Sequence, residues 1–259
     1  MRAVASFESV DGVVIAYYTW GADDPALPPV VLHHGFAVNA NLNWVMPGVV
    51  DALVAAGRQV YALDARGHGE SGKPYDPASY GERAMSSDLR LLLDVIGTSS
   101  VHLAGYSMGG IVSLLTAASD RRVGRLVVGG VPAGLLDLGG TGTRAAERSA
   151  IAEALLAEDP ATITDPRAAA FRRLADMAGG DRRALAAQAA AVRQTAIPVA
   201  DISAPTLVIA GADDPLAARP EVLADAIPDG RALVVPGNHI TAVTDPGFAP
   251  AIVDFLSGE

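Results

Sequence analysis

A chain of 259 residues, half of them apolar and 19% charged, fits one large folded domain or two small ones and is too apolar to stay disordered. With 29 Asp and Glu against 19 Lys and Arg, its formal net charge of −10 argues against a nucleic-acid partner. The absence of cysteine excludes disulfide frameworks, zinc ribbons, iron–sulfur clusters and a cysteine nucleophile, which leaves Ser, Thr, Asp, Glu or Lys for any covalent chemistry.

Residues 3–9 and 13–19 are rich in β-branched and aromatic side chains and flank Asp11-Gly12, which predicts a hairpin. Pro28-Pro29 precede a short apolar strand, Val30-Val31-Leu32, that runs into His33-His34-Gly35. A helical pattern over 43–56 stops at Gly57, a strand follows over 59–63, and Asp64-Ala65-Arg66-Gly67-His68-Gly69 reads as a glycine-rich turn. Met85, Leu89, Leu92, Leu93 and Ile96 recur at helical spacing within 80–96. A strand over 101–104 leads through Gly105-Tyr106-Ser107-Met108-Gly109-Gly110 into a helix over 110–118, and 125–129 give another strand.

From 133 to 198 the strand signal is lost. Alanine-rich helical segments at 144–157, 166–178 and 181–195 are separated by Pro160, Pro166 and Gly179-Gly180. The strand pattern returns at 206–210 and 232–235, each followed by a helix, over 218–226 and 247–256. This alternation predicts an α/β fold, a mostly parallel, doubly wound sheet of about eight strands with a helical insertion after the sixth. The longest apolar stretch, 126–136, is broken by Gly129, Gly130, Pro132 and Gly134, and residues 1–12 lack the apolar core of a secretory signal. A cytoplasmic protein with no membrane partner is the expectation.

Gly105-Tyr106-Ser107-Met108-Gly109 places a serine where a strand passes directly into a helix. Such a turn strains the backbone, and its glycines let strand and helix approach while the hydroxyl is lifted clear of the sheet. The first N–H groups of the helix are free to stabilise developing negative charge. A serine needs a base, itself oriented by an acid, and on a sheet of this kind the partners follow in the order Ser, acid, His. Of the five histidines only His239 follows Ser107, in a loop after the strand at 232–235. The acid should follow the strand at 206–210, where Asp213 and Asp214 stand side by side.

With these pieces the chain resembles the α/β-hydrolase fold superfamily over essentially its whole length, in the branch of serine esterases, cofactor-free haloperoxidases and enol-lactonases. The resemblance is carried by His34-Gly35-Phe36, Asp64-Ala65-Arg66-Gly67-His68-Gly69-Glu70-Ser71, Gly105-Tyr106-Ser107-Met108-Gly109-Gly110, Gly211-Ala212-Asp213-Asp214 and Gly237-Asn238-His239. It implies a triad of Ser107, Asp214 and His239, with Asp214 chosen because it stands three residues after the glycine. It implies an oxyanion hole from the backbone N–H groups of Phe36 and Met108. The helical insertion at 133–198 matches a cap over a core formed by 1–132 and 199–259. His34, His68, Asp64, Arg66, Gly67 and Gly69 are expected to be structural; of Asn39, Asn41 and Asn43 beside the oxyanion loop, Asn41 or Asn43 is expected to cap a helix, with a place on the rim of the site as the alternative. Gly139-Gly140-Thr141-Gly142 lacks the lysine ending of a phosphate loop and reads as a hinge into the cap.

The superfamily supports several chemistries, so the residues must discriminate. Relatives that cleave haloalkanes or epoxides attack with an aspartate where this chain has Ser107, and no tyrosine follows Tyr106 to activate an epoxide. Serine with His and Asp implies acyl transfer, which requires no metal or organic cofactor. Phe36 beside the carbonyl site and an apolar cap with Phe171 and Met177 predict a compact apolar pocket for a small-molecule ester. A lactonase, a carbon–carbon bond hydrolase or a perhydrolase would use the same triad. A ligand receptor on the same fold, with little turnover, is the competing class.

Overall fold

The expected hairpin forms, with β1 (Ala3–Glu8) antiparallel to β2 (Val14–Trp20) around Asp11-Gly12. The computed structural model describes residues 3–22, 26–136, 141–191 and 197–258. After the hairpin come β3 (Val30–His33), α1 (Val49–Ala55), β4 (Val60–Leu63) and α2 (Glu82–Ile96). These are followed by β5 (Val101–Tyr106), α3 (Met108–Ala117) and β6 (Val123–Gly129). The chain then runs through α4 (Thr141–Leu156), α5 (Pro166–Met177) and α6 (Arg182–Ala190) before β7 (Thr206–Gly211), α7 (Pro220–Asp225), β8 (Gly230–Val235) and α8 (Phe248–Ser257).

The eight strands make one sheet in the order β1-β2-β4-β3-β5-β6-β7-β8, parallel from β4 onward, with β2 antiparallel to β4. Every residue of β3, β5 and β7 is buried, as parallel strands covered on both faces must be. One apolar core, holding Leu89, Leu92, Val112, Leu114 and Leu223, fills the face under α2, α3 and α7. The other, with Trp44, Leu53, Phe248 and Ile252, fills the face under α1 and α8.

The helices between β6 and β7 form a smaller cluster of Leu155, Ala175, Leu185 and Ala186, which reaches the loop after β3 through Phe36 and Ala37. Arg172 ties two of them together, donating to the carbonyls of Ala154 and Ala157 at the end of α4 while pairing with Asp176 in α5. Among the described residues no helix is long and apolar enough to cross a membrane.

Two expectations change. The helix expected over 43–56 is two pieces, a π-helical turn at Asn41–Val45 and then α1, because Pro47 supplies no N–H and Gly48 turns to φ +83°. The last helix of the insertion ends at Ala190, where Ala191 is already extended, rather than running to 195. Residues 192–195 lie outside the described residues, as do Gly139 and Gly140 of the expected hinge, while Thr141-Gly142 open α4.

Candidate active site

β5 ends at Tyr106 and α3 begins at Met108, so Ser107 alone makes the turn, at φ 52° and ψ −113°. That is strained backbone for a residue with a Cβ. The turn is fixed by the Ser107 N–H, which donates to the Gly129 carbonyl at 2.7 Å, and by its carbonyl, which accepts from Ile111 at 3.1 Å. Glycine is required on both sides. A Cβ at Gly105 would overlap the Gly109 carbonyl, and one at Gly109 would overlap the carbonyl of His33.

The structure brings Ser107, His239 and Asp214 together. His239 Nε2 lies 3.0 Å from Ser107 Oγ, and its Nδ1 lies 2.7 Å from Asp214 Oδ2. A carboxylate only accepts, so the imidazole proton belongs on Nδ1, leaving the Nε2 lone pair for the serine hydroxyl. The Asp214 side chain is completely shielded, and its other oxygen accepts from the Leu216 N–H at 2.9 Å. Asp213 is exposed and, among the described residues, donates only its backbone N–H, to the Gly237 carbonyl.

Two further residues steady this arrangement. Tyr106 donates its hydroxyl to the His239 carbonyl at 2.7 Å, and its ring centroid lies 5.4 Å from the imidazole. Burial pushes the Tyr106 phenol pKa well up, with the negative charge of Asp214 adding to it, so it stays a donor at ordinary pH. Asn43 is buried and accepts the Gly35 N–H at 2.8 Å, fixing the loop that carries Phe36. The expectation that Asn41 or Asn43 caps a helix is therefore corrected, since Asn39 accepts the Leu42 N–H at 3.0 Å instead. The N–H groups of Phe36 and Met108, the expected oxyanion hole, meet no acceptor among the described residues.

The histidine-rich loops are a scaffold beneath that hole. His34 Nε2 accepts the Ala65 N–H at 2.9 Å and His68 Nε2 accepts the Ala37 N–H at 3.1 Å, which leaves each Nδ1 to donate to a backbone carbonyl. Both rings are neutral by this geometry. Burial holds His33 down to about 3 and His102 down to about 4, with neighbouring His34 and Arg58 adding respectively, and places His68 well below its ordinary value. The unfolded chain takes up these protons near pH 6.5, before the folded one can, so stability falls as pH drops from about 6.5 toward 4. Each such histidine contributes a loss of at most about 1.4 kcal/mol per pH unit in that window. Urea unfolding at pH 7 and pH 5 should give a clearly lower midpoint at pH 5; equal midpoints would contradict neutral burial.

Two cavities meet at Ser107 and His239. One, of about 510 Å³, has apolar walls that include Val38, Leu42, Phe171, Leu174 and Met177. Phe36 closes one side of it, edge-on to Phe171 with ring centroids 5.6 Å apart. The other, of about 470 Å³, runs past Met108, Ile111 and Ile151 and also carries Glu82, Arg148 and Gln188. The expectation of a compact apolar pocket thus describes only the first cavity.

Compared with known proteins, residues 28–246 match the model of the alpha/beta hydrolase fold. A relative from Variovorax paradoxus named "Putative carbamate hydrolase RutD" is 32% identical over 229 residues, covering 80% of this chain and 84% of the relative. The dihydrolipoyllysine-residue acetyltransferase component of an acetoin cleaving system from Pseudomonas putida is 38% identical over 118 residues, or 45% of this chain and 30% of its own length. The match thus spans about a third of that longer protein. The crystal structure of a hydrolase from Pseudomonas aeruginosa superimposes with a TM-score of 0.78 at 30% identity, covering 98% of both chains.

Proposed function

The chain belongs to the alpha/beta hydrolase fold family, and we propose that it is a serine hydrolase that cleaves carboxylic esters of small to medium size through an acyl-enzyme. The observation that carries this reading is the continuous path from the Asp214 carboxylate through His239 to Ser107 Oγ at the elbow. In the reaction Ser107 Oγ attacks the ester carbonyl carbon and its proton passes to His239 Nε2. The tetrahedral oxyanion is held by the Phe36 and Met108 N–H groups, and Asp214 stabilises the imidazolium. Collapse breaks the ester bond and His239 returns the proton to the leaving alcohol. A water then gives its proton to His239 and attacks the acyl carbon, releasing the acid and restoring Ser107. The apolar cavity favours a hydrocarbon arm on one side of the carbonyl.

A second reading, cleavage of a carbamate, is favoured by the RutD relative, because a carbamate offers the same kind of carbonyl to the same serine. Both readings depend on one nucleophile. Treatment with phenylmethanesulfonyl fluoride should expel fluoride, attach one sulfonyl group to the peptide containing Ser107, and abolish hydrolysis of para-nitrophenyl butyrate. Label on a different residue, or hydrolysis that survives complete labelling, would overturn the assignment.

A further inference from the structure

Gln188 sits in α6 on the wall of the second cavity, only 8% exposed, in a helix otherwise made mostly of alanine on that side. Its Nε2 faces Met108 Sδ at 2.8 Å and Met85 Sδ at 3.5 Å, while its Oε1 is shut off from solvent and meets no donor among the described residues. Exchanging the two ends of the amide does not help. The carbonyl would then face two sulfurs that offer no proton, and the NH2 would take the empty position. A buried amide left unsatisfied costs free energy, and in a native structure it calls for a reason. The amide lies against the side chain of Met108, the residue that follows Ser107.

Resting on the ester-hydrolase reading above, we propose that the second cavity is the subsite for a neutral hydrogen-bonding arm of the substrate, a hydroxyl or a primary amide, and that Gln188 selects it. The terminal torsion of a glutamine is broad and roughly two-fold, so a half-turn about it exchanges the carbonyl and the NH2 offered to such an arm. A neutral group fits better than an ion, because the same wall carries Glu82 as well as Arg148 and Arg167 and so offers no single sign of charge. The substrate is then an unsymmetrical ester. Its hydrocarbon arm lies among Leu42, Phe171 and Leu174, its polar arm lies beside Gln188, and the carbonyl sits between them at Ser107.

The test uses two isosteric pairs, so that either arm can carry the polar group. The terminal hydroxypropyl ester of hexanoic acid is compared with butyl hexanoate, and butyl succinamate with butyl isohexanoate. In one pair the native protein should show the higher kcat/KM for the polar member, and Gln188→Leu should lower that ratio about tenfold. A ratio cancels any general loss of folded or active protein. Where the leucine variant does not fold, Gln188→Met, which keeps the length of the side chain, serves for the same comparison. Turnover without preference in either pair, or a preference that survives in the variant, overturns the subsite and leaves the hydrolase reading standing. No turnover of any of the four esters by the native protein overturns both.

Discussion

On the serine-hydrolase reading, Ser107→Ala should lower kcat for para-nitrophenyl butyrate by about a million-fold and Asp214→Asn by about ten-thousand-fold, whereas Asp213→Asn should stay within about twofold. The ranking follows from position. Without Ser107 Oγ no covalent path exists, and only the two N–H groups and binding remain to lower the barrier. With asparagine at 214 the geometry survives, but its NH2 can face the histidine and favour the wrong tautomer, directing a protonated Nε2 at the serine. Asp213 is exposed and holds the loop only through its backbone, which the substitution leaves intact. Because the three groups act as a unit, the double variant Ser107→Ala/Asp214→Asn should be little slower than Ser107→Ala alone. Stopped-flow and long-time-course assays on the purified variants measure this. Equal losses for Asp213→Asn and Asp214→Asn would refute the assignment of the acid.

Most of the fold was legible because parallel strands buried on both faces leave short, continuous apolar runs. Val30-Val31-Leu32 and Thr206-Leu207-Val208-Ile209 appear as such in the chain and are fully buried in the sheet. The expected helix over 43–56 failed for a local reason. Its apolar spacing is helical, yet Pro47-Gly48 interrupts the hydrogen-bond ladder, and the pattern hid the punctuation.

At the candidate site, the elbow string and the solitary histidine after it were readable because both are constraints on order along the chain. The choice between Asp213 and Asp214 depends on which side chain turns inward after β7; the residue types carry no such signal, and the spacing from Gly211 in the family resemblance alone favoured Asp214. Tyr106 occupied a free position of the serine motif, and its bond to the His239 carbonyl spans 133 residues. Asn43 looked like a cap because asparagine beside a helix start usually is one, and only the fold reveals the Gly35 N–H above it. Gln188 was hidden among alanines, since one polar residue on a helix normally marks a solvated face.

Asp88→Ala should cost about 3–5 kcal/mol of stability, against about 1 kcal/mol or less for Asp11→Ala, although both remove a carboxylate from Arg66. The Arg66 side chain is completely buried, gripped by Asp88 through Nε and a second nitrogen at 2.8 Å each, and by Asp11 at 2.6 Å. The Asp88 carboxyl is 1% exposed, so its removal leaves a buried guanidinium, which cannot lose its proton, with the partly exposed Asp11 as its remaining carboxylate. The Asp11 side chain is 40% exposed and its attraction is screened by solvent. Burial alone would lower the Arg66 pKa, but its hydrogen bonds to Asp88 and Asp11 more than offset this and raise it. Urea unfolding of the two variants separates the cases, and similar losses would show that the buried pair is no stronger than the exposed one. Replacing both partners, Arg66→Met with Asp88→Leu, should recover much of the loss, because no buried charge is then left alone. The consequence extends to chemistry. Arg66 lies in the turn whose Ala65 N–H is held by His34 and whose His68 holds the Ala37 N–H, one residue from the Phe36 donor. In Asp88→Ala protein that is still folded, a turn free to shift should lower kcat more than it raises KM, since the proposed oxyanion donors would act on the transition state.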